Sequence, residues 1–142
     1  MTGEALMRRV AAGFENADLR PLFEAIDERR IVWKSASTVP GAFRFSGVFE
    51  KRVGVVQVTS QIFASYAFRR MHLKEVTTSG DIVWGLVEVE ADYWAPGEPP
   101  EAARPVQFEC AVRWRLRSDK IVEHQCFFDT EALAVQQGRD AS

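Results

Sequence analysis

The stretch that decides the fold is Val106 to Thr130, VQFECAVRWRLRSDKIVEHQCFFDT. Val106, Phe108, Cys110, Val112, Trp114 and Leu116 are apolar, while Gln107, Glu109, Arg113, Arg115 and Arg117 between them are polar, the period of a strand with one buried face. After Ser118, Asp119 and Lys120 the alternation resumes at Val122, His124, Cys126 and Phe128, so the segment reads as a β-hairpin. Two registers compete. A two-residue loop sets Trp114 opposite Glu123 and Val112 opposite Gln125, burying polar groups against the apolar face. A three-residue loop pairs Leu116 with Val122, Trp114 with His124, Val112 with Cys126 and Cys110 with Phe128, and sets Arg115 against Glu123 on the other face. The second register is expected, with Asp119 in the left-handed region. It turns one polar side chain inward, His124.

Working outward, Gly80 follows Ser79 between two further strands, expected at Arg70 to Thr78 and Asp81 to Trp94. In the second, Val83, Val87 and Val89 share a face with Gly85, and Glu88 and Glu90 point the other way. Ala95 to Pro105, with four prolines, reads as a surface excursion within one sheet. Upstream, Thr2 can cap a helix carrying Leu6, Val10 and Phe14, ending near Gly13 to Asn16. Asp18 opens a second helix with Leu19, Leu22, Phe23 and Ile26 on its apolar face and Pro21 in its first turn. A short strand is expected at Ile31 to Ser35. Ala36 to Gly47 then reads as a loop over the mouth of a cavity, with an extended piece at Phe43 to Phe45. Glu50 to Tyr66 reads as a third helix.

The order is three helices broken by one short strand, then four long antiparallel strands. That is an α+β layout, a bent sheet closed by helices into a cone with an apolar interior where a small molecule would bind. One domain spanning residues 1–142 is expected, since a chain of 142 residues is long enough to bury roughly 70% of its unfolded surface around a single core. A hydrophobic content of 46% excludes global disorder, and a net charge of −2 supplies no basic field for nucleic acid. Met1 to Val10 has no apolar core of signal-peptide length and no stretch is long enough to span a membrane, so a cytoplasmic location is expected. Cys110 and Cys126 sit diagonally in the expected register, about 7 Å or more between Cα atoms, poor geometry for a disulfide. Reduced thiols packed as small apolar residues are expected.

Phe45 to Glu50, Ser79 to Val83, Trp114 to Lys120, Ile121 to His124 and Phe127 to Thr130 give the chain a resemblance to the nuclear transport factor two superfamily, and within it to the SnoaL-like proteins. The resemblance implies an α+β cone: a curved mixed or antiparallel sheet with three N-terminal helices on its concave face, enclosing an apolar pocket. It also implies a homodimer built across the sheet. The superfamily includes polyketide cyclases, limonene-epoxide hydrolases and ketosteroid isomerases beside proteins that only bind or scaffold. The His and Asp of SnoaL-like cyclases correspond to Val112 and Cys126. The acid of the epoxide hydrolases also falls at Cys126, and their Arg and Asp at Val87 and Val89, or at Glu88 and Glu90 after a one-residue slip. The isomerase base falls near Lys34 and its first-helix phenol near Phe14. Each of those reactions lacks its parts here.

His124 is the candidate catalytic residue, because imidazole exchanges protons near neutral pH. Cys126 beside it is a weaker candidate nucleophile. Trp33, Phe63 and Trp114, with Val87, Val89, Val112 and Cys126, are the expected pocket lining. His72, His124, Cys110 and Cys126 match no compact metal-ligand spacing, and neither metal nor cofactor is expected. Three functions stay open: a small-molecule binder, an enzyme of isomerase, cyclase or hydratase type using His124 as acid or base, and a structural or assembly module.

Overall fold

The computed structural model describes residues 1–35, 37 and 42–138. Helix α1, Gly3–Glu15, starts as expected where the Thr2 hydroxyl accepts from the Ala5 N–H at 3.1 Å. Its Met7, Val10 and Phe14 are buried on one face. The Arg20 N–H donates to the Asp18 carboxylate at 3.1 Å, and α2, Arg20–Ala25, with Leu19 at its N-cap, buries Leu22 and Ala25. Strands β1, Val32–Lys34, and β2, Val48–Glu50, form a short antiparallel pair before helix α3, Lys51–Phe63. Four long strands follow: β3, Tyr66–Ser79; β4, Ile82–Tyr93; β5, Arg104–Arg117; and β6, Lys120–Phe128. Helix α4, Thr130–Gln136, ends the described chain, capped by the Asp129 carboxylate on the Ala132 N–H.

The six strands form one curved sheet in the order β2-β1-β6-β5-β4-β3, antiparallel except where β1 runs parallel to β6. The α+β cone is thus present, with α1, α2 and α3 packed on the sheet, and it has elements the sequence reading did not foresee, among them β2 and α4. Two further expectations are corrected. The third helix stops at Phe63 rather than Tyr66, and β3 starts at Tyr66 rather than Arg70. Irregularities between Phe68 and Arg70 and between Leu73 and Glu75 break the alternation that would have revealed those extra residues as strand. Phe43 to Phe45 is a turn, not an extended piece: the Phe43 N–H donates to Ser46 Oγ at 2.8 Å and the Ser46 N–H donates to the Phe43 carbonyl at 3.1 Å. Ala36 and residues 38–41 of the expected loop lie outside the described residues.

The decisive hairpin keeps the expected inward pairs, Trp114 with His124, Val112 with Cys126 and Cys110 with Phe128, and the outward pair Arg115 with Glu123. It reaches them by another route. Ser118 and Asp119 both take positive φ, 50° and 64°, so the loop has two residues and Arg117 faces Lys120. A bulge between Arg115 and Leu116 then pairs Leu116 with Ile121 and leaves Val122 as the extra residue, which restores the register that a two-residue loop alone would have lost. Ile121 and Val122 are both buried, so the kink exposes no apolar side chain.

The main core lies between the helices and the inner sheet face and includes Leu22, Ile31, Val55, Val58, Val83 and Ile121. A second cluster of Phe43, Tyr66, Ala91, Val106 and Leu133 anchors α4. Gly85 on β4 sits where α1 crosses the sheet, and a Cβ there would collide with the Met7 sulfur and Leu73. That contact sets how closely α1 approaches the floor of the cone.

Candidate functional site

Between α1 and the inner sheet face the packing leaves a cavity of about 140 Å³. Alternation along each strand builds its walls: Val87 and Val89 from β4, Cys110 and Val112 from β5, His124 and Cys126 from β6. Met7, Val10 and Phe14 close it from α1, and Phe68, Phe108 and Phe128 supply aromatic surface. No charged side chain lines it among the described residues.

His124 is the chemical centre of this wall. The parallel pairing of β1 with β6 puts Trp33 beside it, and the antiparallel pairing of β5 with β6 puts Trp114 on its other side. The Trp33 ring stacks on the imidazole with centroids 3.6 Å apart and planes 16° from parallel. The Trp114 indole Nε1–H donates to His124 Nδ1 at 3.0 Å. An indole nitrogen only donates, so Nδ1 holds the lone pair and the imidazole proton resides on Nε2. Burial pushes the imidazole pKa down to about 3, because a charged ring in this wall would be stripped of water with no anion to replace it. The side chain is therefore neutral at pH 7. Nε2–H has no hydrogen-bond partner among the described residues, whereas the other polar groups in the wall are engaged: the Ser35 hydroxyl donates to the Phe45 carbonyl, and the Tyr66 hydroxyl accepts from the Gln137 amide. Chemically, the wall offers one neutral donor in an apolar hollow.

No protein-family model matches the chain, and no curated protein matches its sequence. Solved structures do match its fold. An NTF2-like protein of unknown function from Burkholderia pseudomallei superposes with a TM-score of 0.80 at 16% identity, covering 98% of this chain and 100% of that one. An NTF2-like protein from Burkholderia thailandensis gives 0.76 at 18% identity, with 99% of each chain covered. A Catenulispora acidiphila protein with a ketosteroid isomerase-like fold, crystallised with trimethylamine, gives 0.72 at 15% identity over 99% of this chain and 97% of that one. The chain has the NTF2-like fold.

Within this NTF2-like cone, Trp33, Val87, Val89, Val112, His124 and Cys126 meet around the cavity. Phe63 and Trp114 do not reach it. Phe63 lies behind the wall, its ring 5.7 Å from Phe14 and 5.6 Å from Phe68, because α3 ends there and turns the side chain into the core. Trp114 is 2% exposed and touches the site through its bond to His124. Cys110 is buried deeply enough that its thiol is held far above the usual range, which makes it an inert wall residue. His124 cannot serve Cys126 as a base through Nδ1, whose lone pair is occupied by Trp114.

Sequence reasoning missed Tyr66, Phe68 and Met71, which the β3 irregularities hide, and Met7 and Ile62 from the helices. Helical spacing of Met7, Val10 and Phe14 was the available signal for the α1 contribution. On the opposite sheet face, Glu88 pairs with Arg70 and Lys74, and Glu123 with Arg113 and Arg115, leaving the acids remote from the cavity. Among the described residues no three His, Cys, Asp or Glu side chains gather to hold a metal ion, and no helix is long and apolar enough to cross a membrane.

Proposed function

We propose that this chain binds a small, uncharged, apolar molecule in the cavity beneath α1. The observation that carries the reading is a hollow of about 140 Å³ whose walls are aromatic and aliphatic and bear no charge. Dry apolar cavities of about 150 Å³ take up benzene-sized guests, so the volume is adequate for one ring and a small substituent. A purely structural role needs no such hollow. A proton-abstracting enzyme working through His124 needs a lone pair facing the substrate, and here the lone pair faces Trp114.

The test is a thermal-unfolding series with toluene, cumene and related neutral aromatics. At ten times the dissociation constant a ligand adds about 1.4 kcal/mol, a rise of a few degrees for a domain of this size. Val112→Trp should fill the hollow and abolish the rise while leaving the circular dichroism spectrum intact. Absence of any ligand-induced rise in the unsubstituted protein refutes the reading. The proposal also includes a homodimer across the outer sheet face, supported by Trp84 and Phe127, which stack at 6.1 Å and stay 39% and 42% exposed.

A further inference from the structure

Resting on that reading, we infer that the ligand is an uncharged aromatic molecule carrying one hydrogen-bond-accepting oxygen, which His124 Nε2–H receives. Three features of the wall converge on this class.

The first is the orientation of the imidazole. Trp114 takes Nδ1 and Trp33 stacks on the ring face, so the ring is held from two sides and its N–H edge is the part left for the cavity. His124 Nε2 is not among the fully buried unpartnered side-chain atoms and so keeps accessible surface, and a donor presented to an occupiable space is completed by whatever acceptor enters that space. Water is a poor candidate. A buried water needs two to four polar partners, and the Ser35 and Tyr66 hydroxyls in the same wall have part of their capacity committed, Ser35 as donor to the Phe45 carbonyl and Tyr66 as acceptor from the Gln137 amide.

The second is charge. A carboxylate or ammonium group entering the cavity would lose its hydration and meet no counter-ion, since the wall carries none among the described residues. The imidazole itself resists becoming cationic for the same reason, so it supplies no compensating charge to an anion. The third is shape. Phe14, Phe68, Phe108 and Phe128 surround the space with ring faces and edges, which favour a flat π-bearing guest over a bulky aliphatic one.

The experiment compares four probes of similar size by isothermal titration: cumene, acetophenone, benzoate and benzylamine. Acetophenone presents a carbonyl where cumene presents a methyl group. It should bind about tenfold more tightly, the ratio expected when one neutral hydrogen bond completes an otherwise orphaned donor. Benzoate and benzylamine should not bind. In a ¹H–¹⁵N spectrum the His124 Nε2–H signal should move with acetophenone and stay put with cumene. His124→Phe should erase the acetophenone preference; if that variant does not fold, the probe ratio and the Nε2–H signal in the unsubstituted protein still decide. Equal affinity for cumene and acetophenone, or binding of benzoate or benzylamine, overturns this inference and leaves the cavity-binding proposal standing. Failure of all four probes overturns both.

Discussion

Lowering the pH should unfold this protein through His124 before its carboxylates matter. The imidazole is neutral in the folded chain, with its pKa pushed down to about 3, against an ordinary value of 6.5 in the unfolded chain. As pH falls through 6.5 the unfolded state takes up a proton that the folded state refuses, so stability is fully present above pH 6.5 and declines until pH 3. Each pH unit well inside that window costs about 1.4 kcal/mol, so acidification from pH 7.5 to 4.5 should remove roughly 2–3 kcal/mol, a large share of a typical domain's stability. Asp18, Asp81 and Glu123 are also held below their usual range by Arg20, by Arg115, and by Arg113 with Arg115 respectively, but those exposed pairs act at lower pH and contribute little. The assay is urea unfolding at fixed protein concentration from pH 7.5 to 4.5, alongside His124→Asn. Its side-chain oxygen can take the place of Nδ1 toward Trp114, and it does not titrate. Stability of the unsubstituted chain should fall by roughly 2–3 kcal/mol more than that of the variant over the same interval. Parallel pH profiles for the two proteins, or a folded-state imidazole titrating near 6.5 by NMR, would refute the reasoning.

Three other outcomes follow from the same contacts. His124→Phe orphans the Trp114 indole N–H and should cost about 1–3 kcal/mol, while Trp114→Phe/His124→Phe removes both partners and should cost less than the two single changes summed; a chemical-unfolding double-mutant cycle measures the coupling. Gly13→Ala should destabilise by about 1–3 kcal/mol in thermal unfolding despite alanine's better helix propensity, because its Cβ would run into the Asp18 carbonyl, whose N–H in turn donates to Gly13 O at 2.8 Å. Trp84→Glu and Phe127→Glu should convert a dimer to monomers in sedimentation equilibrium without changing the circular dichroism spectrum; an unsubstituted chain that is already monomeric at micromolar concentration counts against the outer face as an interface.

Much of the cone was legible because its long elements obey one periodicity each. Val83, Val87 and Val89 point inward with Gly85 as the period of two requires, and Thr2 sits where a helix start needs an oxygen. What was illegible lies where that periodicity breaks. The β3 irregularities move Tyr66 and Phe68 out of any simple alternation, and β2 is too short, at three residues, to show one. Trp33 and His124 illustrate a second limit. Each reads as an inward residue on its own strand, but their stacking depends on the parallel pairing of β1 with β6, a long-range register that neither segment encodes locally. The same limit explains Phe63 and Trp114: alternation or helical spacing tells which way a side chain points, not whether another side chain stands between it and the hollow.

The chemistry of the site turns on the bulge at the end of the hairpin. With a two-residue turn and an unbroken ladder, Trp114 would face Glu123, placing a carboxylate against the cavity and leaving His124 on the outer face. One extra residue, Val122, shifts β6 by a single step and exchanges that charged wall for a neutral imidazole bonded to an indole. The exchange also fixes the tautomer, since the partner across the ladder is a donor that cannot accept. Had the residue opposite been an acid, Nδ1 would have donated and Nε2 would have faced the hollow as a base, the arrangement a proton-transfer enzyme uses. In this chain the same ring faces the hollow with its proton outward. The residue at position 114 therefore decides which imidazole nitrogen carries the proton. Trp114→Glu tests that selection: it should raise the His124 pKa, read by NMR titration, by placing a carboxylate beside a ring that at present has none.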